Sequence, residues 1–82
     1  MRGEIDRIDM QLLDLLNRRA TCAVGIGDIK KKYSLPIFVP GREKEILERM
    51  TAQNNGPLSE EAVEDLFRVV FLKMKKMEGL AD

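Results

Sequence analysis

The 82-residue sequence has no histidine and a single cysteine, Cys22. The missing histidine removes the commonest general base near neutral pH and the commonest metal ligand. One cysteine cannot close an intramolecular disulfide, and one cysteine without histidine leaves no usual zinc-ligand set. Net charge is also missing. Fourteen basic residues balance fourteen acidic ones, so the chain lacks the positive excess of a non-specific nucleic-acid binder. Lys30, Lys31 and Lys32, and Lys73, Lys75 and Lys76, are local clusters that suit the negative ends of helices. No apolar run approaches the roughly 20 residues of a membrane span, and no signal peptide is visible. The expectation is one small domain over residues 1–82, in the cytoplasm, with no metal, no membrane and no nucleic acid.

What is present is helical periodicity. From Arg2 to Lys32 the residues Ile5, Ile8, Leu12, Leu15, Cys22, Ile26 and Ile29 recur mostly at steps of three and four, which predicts one long amphipathic helix with Cys22 as a small core residue. Leu35–Val39 is a short apolar stretch around a proline and reads as an extended connector. Pro40 suits the first turn of a second helix, which carries Ile46, Leu47 and Met50 and stops at Asn54-Asn55-Gly56-Pro57. Ser59 is a good N-cap for a third helix, with Glu60 and Glu61 in its first turn and Leu58 and Val63 at the positions of a hydrophobic staple. Val63, Leu66, Phe67, Val70, Met74 and Met77 form its stripe. The fold class is therefore all-α, with one long helix and two shorter ones.

Length adds a constraint. Thirty helical residues span about 45 Å, whereas a compact chain of this size has a radius of gyration near 12 Å. The two shorter helices cannot cover the long one within so small a globule. Two copies pairing their long helices could, which predicts an intertwined homodimer. A break at Gly25 or Gly27 that folds the helix back is the alternative.

The apolar series of the first helix contains one misplaced residue. The step between Leu15 and Cys22 lands on Arg19, a permanent cation on an apolar seam. A charge there must be paired, by a protein carboxylate or by a bound anion. Lys30 lies eleven residues further on, about three turns, and so nearly in line with Arg19. Arg42 and Arg2 are cations in first helical turns, where anions are favoured. Glu43 follows Arg42, and Glu78 extends the stripe of Met74 and Met77. Several cations and a few carboxylates at bundle-facing positions, without a histidine, suit a small polyanion whose reaction needs positioning and electrostatics rather than covalent help.

At this point the chain resembles the all-helical class of chorismate mutase. The likeness is carried by R-G-E-I-D-R-I-D-x-x-L-L-D-L-L-N-R-R from Arg2 to Arg19, V-G-I-G-D-I-K from Val24 to Lys30, P-G-R-E-K-E-I-L-E-R from Pro40 to Arg49, and L-F-R-V-V from Leu66 to Val70. It covers nearly the whole chain in order. Such domains also occur fused to prephenate dehydratase. The resemblance implies a cofactor-free Claisen rearrangement of chorismate to prephenate in an intertwined dimer. By motif, Arg19 and Lys30 would bind the substrate carboxylates, and Lys30 would also donate to the ether oxygen. Arg2 would reach into the partner subunit's site. Glu43 would accept a hydrogen bond from the ring hydroxyl, and Arg42 would line the same end.

Three positions depart from or vary within the family pattern. Val39 stands where many relatives have aspartate, so only a backbone contact is implied there. Met74 replaces a small polar residue. Glu78 stands where relatives carry glutamine or glutamate; facing the ether oxygen, it must be protonated to donate, so activity should fall as pH rises. Two other readings stay open. Isochorismate pyruvate-lyase would use the same fold, and a non-catalytic dimerisation or regulatory module would satisfy Arg19 and Lys30 with protein carboxylates.

Overall fold

A computed structural model describes residues 1–36 and 40–79. It contains α1 (Arg2–Lys32), α2 (Pro40–Gln53) and α3 (Glu60–Met77) in that order. The starts of all three helices and the ends of α1 and α2 fall where the sequence puts them, whereas α3, expected to run to the end of the chain, stops at Met77. Helix α1 runs unbroken through Gly25 and Gly27, which removes the folded-back alternative. Its last turn closes through the Leu35 N–H, which donates to the Lys30 carbonyl at 2.7 Å while Ser34 adopts φ +57°, a left-handed residue of the kind that commonly ends helices. At the start of α3 the Ser59 hydroxyl accepts from the Ala62 N–H at 3.0 Å, the N-cap read from the sequence.

Helix α3 packs against both α1 and α2 and forms the middle of the arrangement. The buried core is small: Ala20 and Ala23 from α1, Ile46 from α2, and Val63, Phe71 and Met74 from α3. This corrects the sequence reading of α1. The line against α3 is Ala20, Ala23 and Gly27, not the larger residues of the expected seam. Small residues let the two backbones approach, and this rotates Cys22, Ile26 and Ile29 to exposed positions. Cys22 is therefore not a core residue. On α3, Phe71 is the most buried of the core side chains, while Leu66 and Met77 of the expected stripe are about half exposed.

The first half of α1 has a different character. Residues 1–15 are all exposed, Ile5, Ile8, Leu12 and Leu15 each by more than half. The molecule measures 47 × 25 × 20 Å with a radius of gyration of 14.8 Å, well above the value near 12 Å of a compact chain this long. Among the described residues, no helix is long and apolar enough to cross a membrane.

Candidate active site

The second half of α1, the first turns of α2 and the last turns of α3 enclose a cavity of about 460 Å³, within the range of small-molecule sites. Five of the residues singled out from the sequence as sharing one chain's site bring charge to it or line it as expected: Arg19, Lys30, Arg42, Glu43 and Glu78; Met74 lines it as well. Cys22, Ala23 and Ile26 of α1, Ile46 of α2, and Phe71 and Lys75 of α3 complete the wall. Four cations (Arg19, Lys30, Arg42, Lys75) face two carboxylates (Glu43, Glu78), which leaves two positive charges in excess.

Helical spacing explains the α1 contribution. Arg19, Cys22, Ile26 and Lys30 stand three or four residues apart and line one face, beside the Ala20–Ala23–Gly27 face that packs on α3. Arg19 is half-buried, and its guanidinium lies 5.7 Å from the Phe71 ring centroid, a cation–π distance. Phe71 in turn packs against Phe67, with centroids 6.2 Å apart. The aromatic ring supports the stem and head of Arg19 without neutralising it. Among the described residues, no carboxylate pairs with Arg19.

Lys30 and Glu78 approach across the far wall. Lys30 Nζ stands 3.7 Å from Glu78 Oε1, with the two side chains 21% and 17% exposed. That oxygen is buried and has no hydrogen-bond partner among the described residues. Glu78 is the first residue beyond α3, and its N–H still donates to the Met74 carbonyl at 3.0 Å. The chain then turns at Gly79 with φ +91°, a backbone conformation that favours glycine. The approach of this turn to α1 depends on Gly27, where a methyl group would lie 2.9 Å from the Glu78 Cα.

On the opposite side, Glu43 Oε2 accepts from Lys75 Nζ at 2.8 Å, an ion pair that ties α2 to α3. Sequence reasoning placed Lys75 only among helix-end cations and did not assign it to the site. It also missed Phe71, Ile46, Ile26, Cys22 and Ala23. The helical period carried a signal for Ile26 and Ile46, whereas the Lys75–Glu43 pair joins residues far apart in sequence. Arg2 lies in the first turn of α1, exposed, and does not line this cavity. Val39, expected to contribute only its backbone, falls outside the described residues. Among the described residues, no three His, Cys, Asp or Glu side chains gather as a metal-ligand set.

An excess of cations on a half-apolar wall, with two separately placed carboxylates, defines a helical site for a small polyanion carrying polar substituents. Comparison with known proteins makes the assignment more specific. The chain belongs to the chorismate mutase type II family, whose model matches residues 1–79. It is 43% identical over 82 residues to a bifunctional chorismate mutase/prephenate dehydratase of Aquifex aeolicus, covering 95% of this chain but only 23% of that protein. It is 32% identical to a 4-amino-4-deoxychorismate mutase of Streptomyces venezuelae, covering 98% of this chain and 79% of that one. A chorismate mutase structure from Thermus thermophilus superposes with a TM-score of 0.93 at 34% identity, covering 99% of this chain and 92% of that one. A Helicobacter pylori chorismate mutase in complex with prephenate gives 0.86 at 36% identity, covering 95% and 84%.

Proposed function

We propose that this chain is a chorismate mutase acting in aromatic amino-acid biosynthesis, as a homodimer whose sites draw on both copies. Residues 1–82 form one catalytic domain, located in the cytoplasm. The observation that carries the reading is Arg19: a half-buried guanidinium on the cavity wall, held by Phe71, with no protein carboxylate beside it among the described residues. A dimerisation module would pair that charge internally. Lys30 stands 3.7 Å from Glu78 on the same cavity wall.

Chorismate is a dianion and suits the excess of cations on the cavity wall. In this reading Arg19 takes one carboxylate through its planar fork. Lys30 meets the second carboxylate and the ether oxygen, and Glu78, protonated, donates to the same oxygen from α3. Glu43 accepts from the ring hydroxyl, with Arg42 beside it. Met74 and the apolar wall press the enolpyruvyl arm over the ring. The backbone at Val39 and Arg2 of the partner subunit complete the set. The reaction breaks the C–O bond and forms the C–C bond in one pericyclic step. No proton moves and no covalent intermediate forms. The protein therefore contributes by selecting the compact conformer and by stabilising the negative charge that grows on the ether oxygen. Lys30 and Glu78, flanking one point in the cavity, suit that second task.

The dimer rests on the surface of α1. The chain exposes 6691 Å², against roughly 5000 Å² for a compact monomer of this mass. The apolar residues Ile5, Ile8, Leu12 and Leu15 of the first half of α1 are each more than half exposed, and long contiguous apolar surfaces of this kind mark protein–protein contacts. The first turn of α1, carrying Arg2, would then be brought to the partner's cavity.

The test is direct. Ultraviolet absorbance follows chorismate loss, and a product assay distinguishes prephenate from released pyruvate. Wild type should form prephenate. Arg19→Ala, still folded by circular dichroism, should lose on the order of 10²–10³-fold in kcat/KM. No turnover by folded wild type would sink the enzyme reading, and pyruvate release would replace it with the lyase.

A further inference from the structure

Glu43 does not face the cavity alone. Lys75 Nζ lies 2.8 Å from its Oε2, both side chains line the cavity, and they are 28% and 32% exposed. The pair joins the first turn of α2 to the last turn of α3. At that distance it is a charge-assisted hydrogen bond, so one carboxylate oxygen is committed to a protein cation. A group that donates to the rest of Glu43 must stand within a few ångströms of the Lys75 ammonium. A neutral hydroxyl does so at little electrostatic cost. A second ammonium meets repulsion from Lys75 that offsets its attraction to Glu43, and Arg42, the preceding residue on the same cavity wall, adds a further positive charge.

We propose that Lys75 is a specificity-determining residue. Its pairing with Glu43 makes this end of the site accept a ring hydroxyl and reject a ring ammonium, selecting chorismate over its 4-amino-4-deoxy analogue. The inference rests on the chorismate mutase reading, in which Glu43 meets the ring substituent. The two substrates differ only at that substituent, so discrimination must arise where it is bound. The analogue carries an amine that is largely protonated at neutral pH. With Lys75 removed, Glu43 would offer it an unshared carboxylate, and an ion pair would replace the repulsion.

The experiment measures kcat/KM on both substrates with the full chain as wild type, Lys75→Met, Lys75→Gln and Lys75→Arg, each checked for folding by circular dichroism. Met keeps the unbranched stem and removes the charge; Gln is a second neutral replacement should Met fail to fold. The ratio of the amino substrate to chorismate should rise at least about tenfold in the neutral variants. It should stay within about twofold of wild type in Lys75→Arg, which keeps the cation. A loss on both substrates with the ratio unmoved would make Lys75 a general anion-binding residue and overturn the proposal, as would no change on either. Wild type inactive on chorismate would remove the underlying reading itself, a result distinct from an unmoved ratio in an active enzyme.

Discussion

Gly27 and Glu78 meet backbone to backbone: a methyl group on Gly27 would lie 2.9 Å from the Glu78 Cα, 3.0 Å from its carbonyl oxygen and 3.2 Å from its Cβ. Two of these contacts are with main chain, which cannot rotate away as the tip of a side chain can. The missing side chain on α1 therefore sets where the end of α3 sits, and with it the Glu78 carboxyl beside Lys30.

Gly27→Ala should push the Glu78 turn off α1. The helix itself gains propensity from alanine, so a loss of activity cannot be put down to a weaker α1. Displacement of a catalytic group by about 1 Å can cost up to 10²-fold in rate, and the loss should fall on kcat more than on KM. Coupling to Glu78 is the sharper readout. In a Glu78→Ala background, Gly27→Ala should have little further effect on kcat, because the group it displaces is already gone. Full additivity of the two losses would show that Gly27 does not act through Glu78.

The role given to Glu78 has a pH signature. A carboxylate can accept but not donate, so donation to the ether oxygen requires the protonated form. Activity should fall toward higher pH wherever this donation carries the rate. Glu78→Gln donates at every pH and should flatten that fall while keeping substantial activity. Lys30, Lys75, Glu43, Arg19 and Arg42 face the same cavity and are unchanged in the comparison. A pH–kcat profile with the same alkaline fall in Glu78→Gln as in wild type would assign it to another group.

The exposed face of α1 gives a prediction about assembly. Leu12 is 53% exposed, midway along the apolar series of the first half of α1. Leu12→Glu costs a solitary helix little, since leucine and glutamate have similar helix propensities. Buried between two copies, the new charge would be strongly unfavourable. Sedimentation should find wild type dimeric and Leu12→Glu largely monomeric, with activity lost alongside. A variant that stays dimeric, or a wild type that is monomeric at micromolar concentration, would place the apolar face outside any dimer contact.

Much of this was legible in the sequence because it is local. Helix boundaries follow Pro40, Ser59 and the polar break at Asn54–Pro57, and the structure keeps all of them. Arg19 stood out because a permanent charge interrupts a regular series, and the cavity wall is where it lies. The core of α1 was misjudged for a physical reason. Periodicity weights large apolar residues, whereas close helix approach selects Ala20, Ala23 and Gly27, which carry almost no hydrophobic signal. Phe71 was passed over because Phe67, Val70 and Met74 already made an adequate stripe one position round the helix. Lys75 was hidden by its resemblance to an ordinary helix-end cation. Its partner Glu43 lies on another helix, and no spacing rule links the two. Arg2 shows the opposite limit: within one chain it does not line the cavity, and the role proposed for it depends on a second copy.

That dependence provides the most direct test of a site shared between chains. Arg2→Ala and Arg19→Ala, each impaired alone, are mixed in equal amounts, unfolded, refolded together and assayed for chorismate loss. In a mixed dimer one site carries both substitutions and the other carries neither. Random pairing makes half of the dimers mixed, so activity should recover to about a quarter of wild type. Activity that stays at the average of the two separate variants, in a mixture shown to contain mixed dimers, would contradict the shared site.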